Sequence, residues 1–132
     1  SFLTITPAYF FIYYIYLKMV ISINDNKFNC KVVSSPSQIR EGMMGKTFDN
    51  FNGMFFIMPT DRIQSFWMKD CIISLDIIFI SKNIITSIAK DCPPCHTDDC
   101  DTYQGKGGFV LEVQGGTCKS RNIKVGDRVD YQ

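Results

Sequence analysis

The chain has 132 residues, the size of one domain, with 14 basic and 13 acidic side chains and a formal net charge of +1. This balance excludes the broad basic field that non-specific nucleic-acid binding requires, and it equally excludes an acidic, aromatic-poor disordered chain. Hydrophobic residues make up 45% of the chain and aromatic residues 14%, which is enough to build a buried core.

The first eighteen residues, SFLTITPAYFFIYYIYLK, differ in composition from the rest, and Lys18 is their only charge. They lack the basic start and the small-residue cleavage site of a signal peptide, and Pro7 and four tyrosines do not suit a lipid-facing helix. We expect a spurious leader read from AT-rich DNA, with Met19 as the true start and a cytoplasmic protein. The alternatives are a signal or membrane-anchor remnant, which would make the protein exported or membrane-anchored, and a buried strand of the domain.

Without these residues the chain keeps 13 basic and 13 acidic side chains, because Lys18 is removed, and its net charge is zero. Residues 20–23 and 27–33 flank an Asn-Asp-Asn turn and predict a hairpin, since polar and apolar residues alternate along the second segment. Ser35 and Pro36 are the N-cap and first residue of a helix over residues 37–44, which we expect Gly45 to end.

The rest of the chain reads as short strands separated by turns. Residues 75–80 are nearly all apolar and predict a central strand, whereas residues 89–108 are expected to form a long loop. Residues 117–122 predict a short helix that ends at Asn122. Further strands are predicted over 53–58 (ended by Pro59), 64–69, 84–88, 109–113 and from about 129. The sum is seven or eight short strands and two short helices in a compact, mainly β, antiparallel sandwich or barrel-like domain.

The loop of residues 91–103, DCPPCHTDDCDTY, holds the densest cluster of reactive side chains. Cys92, Cys95 and His96 match the pattern of covalent haem attachment, but two prolines stiffen the loop and no helical context is evident. Zinc is a second possibility, with Cys92, Cys95, His96 and Cys100 as ligands, although four ligands within nine residues crowd a tetrahedron. No other cofactor is indicated.

The third interpretation of this loop is a disulfide, either between Cys95 and Cys100 or between Cys92 and one of them. Such a bond would imply an oxidising compartment or oxidation after lysis, and in a cytosolic protein these residues would be thiols. Cys30 has the parity of a core residue and is expected to be an inert buried thiol.

Trp67 is the only tryptophan, and in a strand it shares a face with Lys69 while Phe66 and Met68 share the other. An indole beside an ammonium suits an anionic or planar ligand. The alternative is a barrel strand that carries an aromatic residue on each face.

Two acidic residues lie within predicted strands. Asp76 stands in an otherwise apolar strand and is expected to pair with Lys69 or Arg40. Glu112 either faces solvent or joins the same polar cluster. His96 is the only histidine, and no nucleophile elbow, phosphate-binding loop or pair of catalytic carboxylates is recognisable.

Several blocks of the sequence resemble the DUF192 family of small, uncharacterised proteins of bacteria, archaea and phages. They are REGMMGKT (40–47), GMFFIMP (53–59), SFWMKDCIISLDIIFI (65–80), PPC…C..Y (93–103), FVLEVQGG (109–116) and IKVGDRV (123–129). The resemblance covers about residues 28–131 and implies a compact, sandwich-like β barrel with no established role. The family's PC…C..Y pattern falls on Cys95, Cys100 and Tyr103, so Cys92 is an additional thiol, and Asp70 and Cys71 replace the Asn-Thr pair of the family's FWMKNT.

We therefore expect a non-enzymatic β domain, a monomer by default, that binds a small molecule, a carbohydrate or a peptide and not nucleic acid. The candidate ligand-binding residues are Arg40, Trp67, Lys69, Asp76, Tyr103 and Glu112. The alternatives are a thiol-based metal or redox module in the loop from Cys92 to Cys100 and, with less support, a hydrolase.

Overall fold

Seven strands form one mixed sheet in the computed structural model, which describes residues 18–132. In chain order the elements are β1 (Lys18–Ile23), β2 (Asn26–Val33), α1 (Pro36–Glu41), β3 (Gly53–Trp67), β4 (Leu75–Ser81), β5 (Ile84–Cys92), β6 (Thr102–Gln114), α2 (Thr117–Ser120) and β7 (Val129–Tyr131). The strand order across the sheet is β5-β4-β6-β3-β2-β1-β7. All neighbouring strands run antiparallel except β2 and β3, which are parallel. They are parallel because α1 and the segment after it return the chain to the end of the sheet at which β2 begins.

The sheet is curled so that its two edge strands touch. The backbone amide of Ile85 in β5 donates to Asp127, and the Ile85 carbonyl accepts from Gly126 at 2.8 Å. The amide of Val129 in β7 donates to Asn83 at 2.8 Å. These bonds bring the two edges of the sheet together, as in a barrel. The predicted mainly β domain with two short helices is confirmed.

Local signals placed several elements correctly. β1 and β2 pair as the predicted hairpin, and the Ser35 side chain caps α1 with Pro36 at its first position. The helix ends earlier than predicted, at Gly42, which adopts a positive φ of 47°. Asn122 has the left-handed conformation expected of it, with φ 55°.

The predicted short strands are longer in the middle of the sheet. Residues 53–58 and 64–69 belong largely to one strand, β3, and Pro59 does not end it, because a register shift between Ile57 and Arg62 accommodates the ring. Residues 102–108, expected within a loop, begin β6. The glycine at 107 is needed there, since a Cβ would lie 2.3 Å from the Ile80 carbonyl oxygen of β4.

The central strands are buried on both faces, as the apolar run of residues 75–80 predicted. In β4, Ile78 and Ile80 point into the barrel interior with residues of β1, β2 and α2. Ile77 and Phe79 point to the opposite face, where α1 and the loops after β3 and β5 cover the sheet. Short, irregular segments therefore cover this second face of the sheet, and the candidate site lies among them.

Asp76 is fully buried in β4 and accepts three backbone hydrogen bonds. Its Oδ1 accepts from the amides of Asp91 (2.7 Å) and Gly116 (3.1 Å), and its Oδ2 accepts from Cys118 (2.8 Å). Gly116 precedes α2 with a φ of 92° and offers no side chain of its own as a cap. The carboxylate thus caps α2 from another element and joins it to β4 and to the end of β5.

The interpretation of the leader falls on residues that, apart from Lys18, lie outside the described part of the chain. Within residues 18–132 no helix is long and apolar enough to span a membrane.

Replacing Asp76 by Asn is expected to lower the free energy of unfolding by about 2–4 kcal/mol, because charge-assisted bonds are lost and an amide group is buried against backbone donors. Urea unfolding measures the change. Asp130→Asn is the matched control, since this exposed carboxylate pairs with Arg128 at the surface, and we expect it to change stability by less than about 0.5 kcal/mol. Equal unfolding midpoints for the two variants would contradict the structural role of Asp76.

Candidate functional site

A groove of about 230 Å³ lies between α1, the residues that follow it, and the second half of β3. We name it the Trp67 groove. Its lining is mostly apolar and consists of residues 39–44, Phe56, Met58, residues 65–67, Lys69 and Cys71. The groove is therefore built where α1 incompletely covers the second face of the sheet.

The local structure around α1 fixes one wall of the groove. The Ser35 hydroxyl accepts a hydrogen bond from Gln38, whose side chain accepts from the Ser35 amide in return. At the other end, Gly42 lies over the Phe56 ring, which is 3.4 Å from the position of a Cβ at Gly42. This turn brings Met43 into the core and leaves Arg40 exposed at the rim.

The opposite wall follows from strand alternation at the end of β3. Phe66 is buried and packs edge-on against Phe56, with ring centroids 5.0 Å apart. Trp67 points the other way and keeps 39% of its surface exposed. The prediction that Phe66 and Met68 share the buried face is confirmed, and Trp67 is among the residues that line the groove.

Lys69 joins this wall to the cysteine loop. Its Nζ donates to the Thr97 carbonyl at 2.6 Å and lies 3.2 Å from Oδ1 of Asp98. Backbone hydrogen bonds support the contact, because the amide of Asp70 donates to Cys95 and the amide of Cys95 donates to Met68. The charge of Lys69 is thus directed at residues of the loop, although its side chain lines the groove.

The structure brings together three of the six predicted ligand-binding residues, Arg40, Trp67 and Lys69. Asp76 does not join them. The expectation that Lys69 or Arg40 pairs with its carboxylate is wrong, because three backbone amides already occupy the buried oxygens.

Tyr103 borders a different concavity, beside Met68 and the cysteine loop. Burial, and then the neighbouring Cys92 thiol, raise the pKa of Tyr103. Tyr103 therefore contacts the base of the loop and not the Trp67 groove.

Glu112 is only 3% exposed and lies on the second face of the sheet, next to Met54 in β3 and Ile77 in β4. Burial alone raises the pKa of Glu112 to about 8. Cys71 and Cys92 face the same carboxyl group closely enough for its charge to raise their pKa values further. Of the two alternatives for Glu112, the solvent-facing one is wrong, and no cluster with Asp76 and Lys69 forms in its place.

The cysteines fall into two groups. Cys30, Cys71, Cys92 and Cys118 are buried free thiols, and burial raises their pKa values to about 11 or 12. Such thiols stay protonated and react slowly. Cys95 and Cys100 instead lie on the surface loop with their Sγ atoms 2.04 Å apart, the distance of a disulfide bond.

The candidate metal ligands are not gathered into one site. Cys92 is buried at the end of β5, Cys95 and Cys100 are placed against each other, and His96 points outward with its Nδ1 3.8 Å from Asp70 Oδ1. Among residues 18–132, no three His, Cys, Asp or Glu side chains converge in a way that would hold a metal ion.

Sequence reasoning missed the apolar lining of the groove, chiefly Met43, Met58 and Phe56. The signal for it was present, since Met43 and Met44 are the last two residues of the predicted helix. The groove lining was not recognised because an apolar side chain near a strand is normally assigned to the core.

The family match follows the described domain from end to end. The model of the DUF192 family, described as "Uncharacterized ACR, COG1430", matches residues 19–131. The chain belongs to the DUF192 family. No match is found among the curated proteins.

Two solved structures share the fold. One is a proposed transcription regulator from Sinorhizobium meliloti 1021, with 25% identity and a TM-score of 0.77 over 88% of this chain and 95% of that chain. The other is a protein of unknown function from Novosphingobium aromaticivorans DSM 12444, with 26% identity and a TM-score of 0.72 over 86% of this chain and 83% of that chain. Membership in DUF192 thus fixes the fold and leaves the function open.

The raised pKa of Glu112 predicts a pH-dependent stability. The folded protein holds this proton between the ordinary pKa of 4.5 and about 8, whereas the unfolded chain releases it, so the contribution of Glu112 to stability is greatest below pH 4.5 and falls as the pH rises to 8. Glu112→Gln should remove this slope and raise the free energy of unfolding at pH 8 by up to about 4 kcal/mol.

Urea unfolding between pH 4.5 and 9 measures the slope. Glu41→Gln is the control, because Glu41 is the only other glutamate, is exposed and has its pKa lowered by Lys46. A Glu112→Gln variant that retains the full slope of the parent would show that Glu112 does not hold the proton.

Proposed function

We propose that the Trp67 groove binds a small molecule with an apolar body and an anionic group. The observation that carries this proposal is that the only tryptophan and Arg40 both line an apolar concavity, with Lys69 at its border. Pockets of this kind, with apolar walls and a few polar groups that set orientation, are typical of small-molecule sites.

The floor of the groove favours an apolar ligand body. Phe56, Phe66, Met43 and Met58 form it, and methionine side chains adapt readily to irregular shapes. Trp67 lines the groove and is 39% exposed, and its indole offers a flat surface on which an aromatic or aliphatic ligand would stack.

The charges around the groove favour an anion. Arg40 takes part in none of the salt bridges found within residues 18–132, and its guanidinium offers several donors. The neighbouring carboxylate of Glu41 is already paired with Lys46, which reduces its repulsion of an anionic ligand.

The other ligand classes have less support. A carbohydrate site needs several polar groups beside its aromatic residue, whereas the floor of this groove is apolar. The description of the Sinorhizobium protein as a transcription regulator is not extended to this chain, because residues 19–132 have no net positive charge.

Catalysis is likewise not part of the proposal. Cys71 lines the groove, but burial and then the Glu112 charge raise its pKa to about 12, which leaves a poor nucleophile. His96, the residue on which a hydrolase would depend, lies on the cysteine loop and does not line the groove.

A pair of dyes tests both parts of the ligand. 1-Anilinonaphthalene-8-sulfonate carries an apolar body and an anionic sulfonate, and N-phenyl-1-naphthylamine lacks the sulfonate. We expect both dyes to bind and to quench the fluorescence of Trp67, and the sulfonate to bind about two- to fivefold more tightly because of Arg40. Direct titration of the natively folded protein gives the two dissociation constants.

Variants separate the contributions. Arg40→Gln should abolish the preference for the sulfonate, Trp67→Ala should weaken both dyes, and Arg62→Gln, an exposed arginine of β3 that does not line the groove, should change neither. Near-ultraviolet circular dichroism confirms that each variant is folded, since loosely packed states also bind these dyes. Binding that is indifferent to both Trp67 and Arg40, or a preference for neutral oligosaccharides or peptides, would contradict the proposal.

A further inference from the structure

The loop that receives the Lys69 ammonium is closed by the only cysteine pair at bonding distance within residues 18–132. Both partners of Lys69, the Thr97 carbonyl and the Asp98 carboxylate, lie inside the ring that Cys95 and Cys100 close. The ring therefore holds together the two groups that draw this charge toward the loop.

Among residues 18–132, backbone–backbone hydrogen bonds to neighbouring elements hold only the two ends of the loop, while His96 Nδ1 lies 3.8 Å from Asp70 and the Thr97 hydroxyl accepts from the Asp99 amide. Cys95 is held by backbone hydrogen bonds to Met68 and Asp70, and β6 begins at Thr102. Residues 96–99 between these anchors are exposed. Opening the ring would leave Thr97 and Asp98 in a free surface loop, and their ordering around Lys69 would cost conformational entropy.

The remaining cysteines provide a contrast in reactivity. Four thiols are buried, with pKa values raised by burial, so they exchange slowly with external thiols. Cys95 and Cys100 are only partly buried and stand beside exposed residues, where a reductant can approach them.

We propose that Cys95 and Cys100 form a reversible disulfide, and that its reduction by a dithiol frees Lys69 to turn toward an anion in the Trp67 groove. This regulatory step rests on the ligand-binding function proposed above. The reduced protein then binds an anionic ligand more tightly than the oxidised protein does.

The dithiol is the reductant in this thiol–disulfide exchange. One thiolate of the reductant attacks a sulfur of the disulfide, and a mixed disulfide forms as the other cysteine leaves as a thiolate that takes up a proton. The second thiol of the reductant then displaces the protein cysteine. The protein gains two electrons and two protons, and the dithiol becomes a disulfide.

The first measurement counts thiols in the native protein. We expect no reaction of the oxidised protein with 5,5′-dithiobis(2-nitrobenzoate), and reaction of two cysteines, identified by peptide mass as Cys95 and Cys100, after treatment with dithiothreitol and its removal. A pair that is already free, or that resists dithiothreitol until the protein unfolds, overturns the proposal.

The second measurement follows Lys69 without any ligand. Its rate of acylation by acetic anhydride, read by peptide mass, should rise about two- to fivefold on reduction, because its partners no longer hold it. Lys124 is the control, being exposed and remote from the loop in sequence, and its rate should not change. A Cys95→Ser, Cys100→Ser double variant should behave as the reduced protein under all conditions.

The third measurement links the loop to the groove. Affinity for 1-anilinonaphthalene-8-sulfonate should rise about two- to fivefold on reduction, and Lys69→Gln should abolish this rise. Suppose that the dye binds with the expected dependence on Trp67 and Arg40 while neither the acylation of Lys69 nor the affinity for the dye changes on reduction. That result would overturn the redox control and leave the proposed ligand binding in the groove supported. If acylation responds and the dye does not bind in either state, the ligand-binding function is overturned.

Discussion

The buried carboxylate of Asp76 is the constraint on which the ends of the sheet depend. A carboxylate without solvent is tolerated only when its oxygens are saturated with donors, and here three backbone amides from two other elements supply them. One of those amides begins α2, whose Cys118 packs into the barrel interior. Another belongs to Asp91, directly before the cysteine loop. The Asp76 carboxylate thus positions both α2, which covers the barrel interior, and Asp91, after which the cysteine loop begins.

From that departure point the loop reaches the candidate site. Cys92 is buried close to Tyr103, and the backbone of Cys95 hydrogen-bonds the residues on either side of Lys69. The Trp67 groove therefore has two walls, one formed by α1 and one by β3, and beside them lies Lys69, whose charge is directed at the loop. The two anchors, a saturated carboxylate and a strand-like pairing, place Lys69 between the groove and the loop.

Burial of β4 and β6 on both faces explains why a concavity exists at all. A curled sheet fills its interior with side chains from β1, β2 and α2, whereas among residues 18–132 its second face is covered by one short helix and several loops. The apolar residues left at the margin of this cover form the groove. The same low-polarity environment raises the pKa values of Glu112 and of the buried thiols.

The parts of the fold that depend on local chemistry were predictable from the sequence. The Ser35-Pro36 start of α1, the first hairpin and the alternation that exposes Trp67 need only neighbouring residues to be recognised. The continuity of β3 through Pro59 was not predictable, because a register shift against β6 permits it. Asp76 was expected to find a charged partner, yet backbone amides forty residues away in sequence reach it first.

The groove itself was half predictable. Arg40, Trp67 and Lys69 have residue types that bind ligands, and all three are among the residues that line the groove. Tyr103 and Glu112 have similar chemistry but point into the loop base and the core, which depends on how β6 pairs with both of its neighbours. A polar residue in an apolar strand does not reveal from the sequence alone which face it occupies.

The binding of an apolar anion at the Trp67 groove is tested most directly by nuclear magnetic resonance, because the chain has a single indole group. Titration of the ¹⁵N-labelled protein with 2-naphthalenesulfonate should shift the Trp67 indole resonance and the backbone amides of residues 39–44 and 65–71 saturably, while the amides of β1 and β7 stay in place. Shifts confined to the concavity beside Tyr103, or small unsaturable shifts spread over the whole domain, would contradict a binding site in this groove.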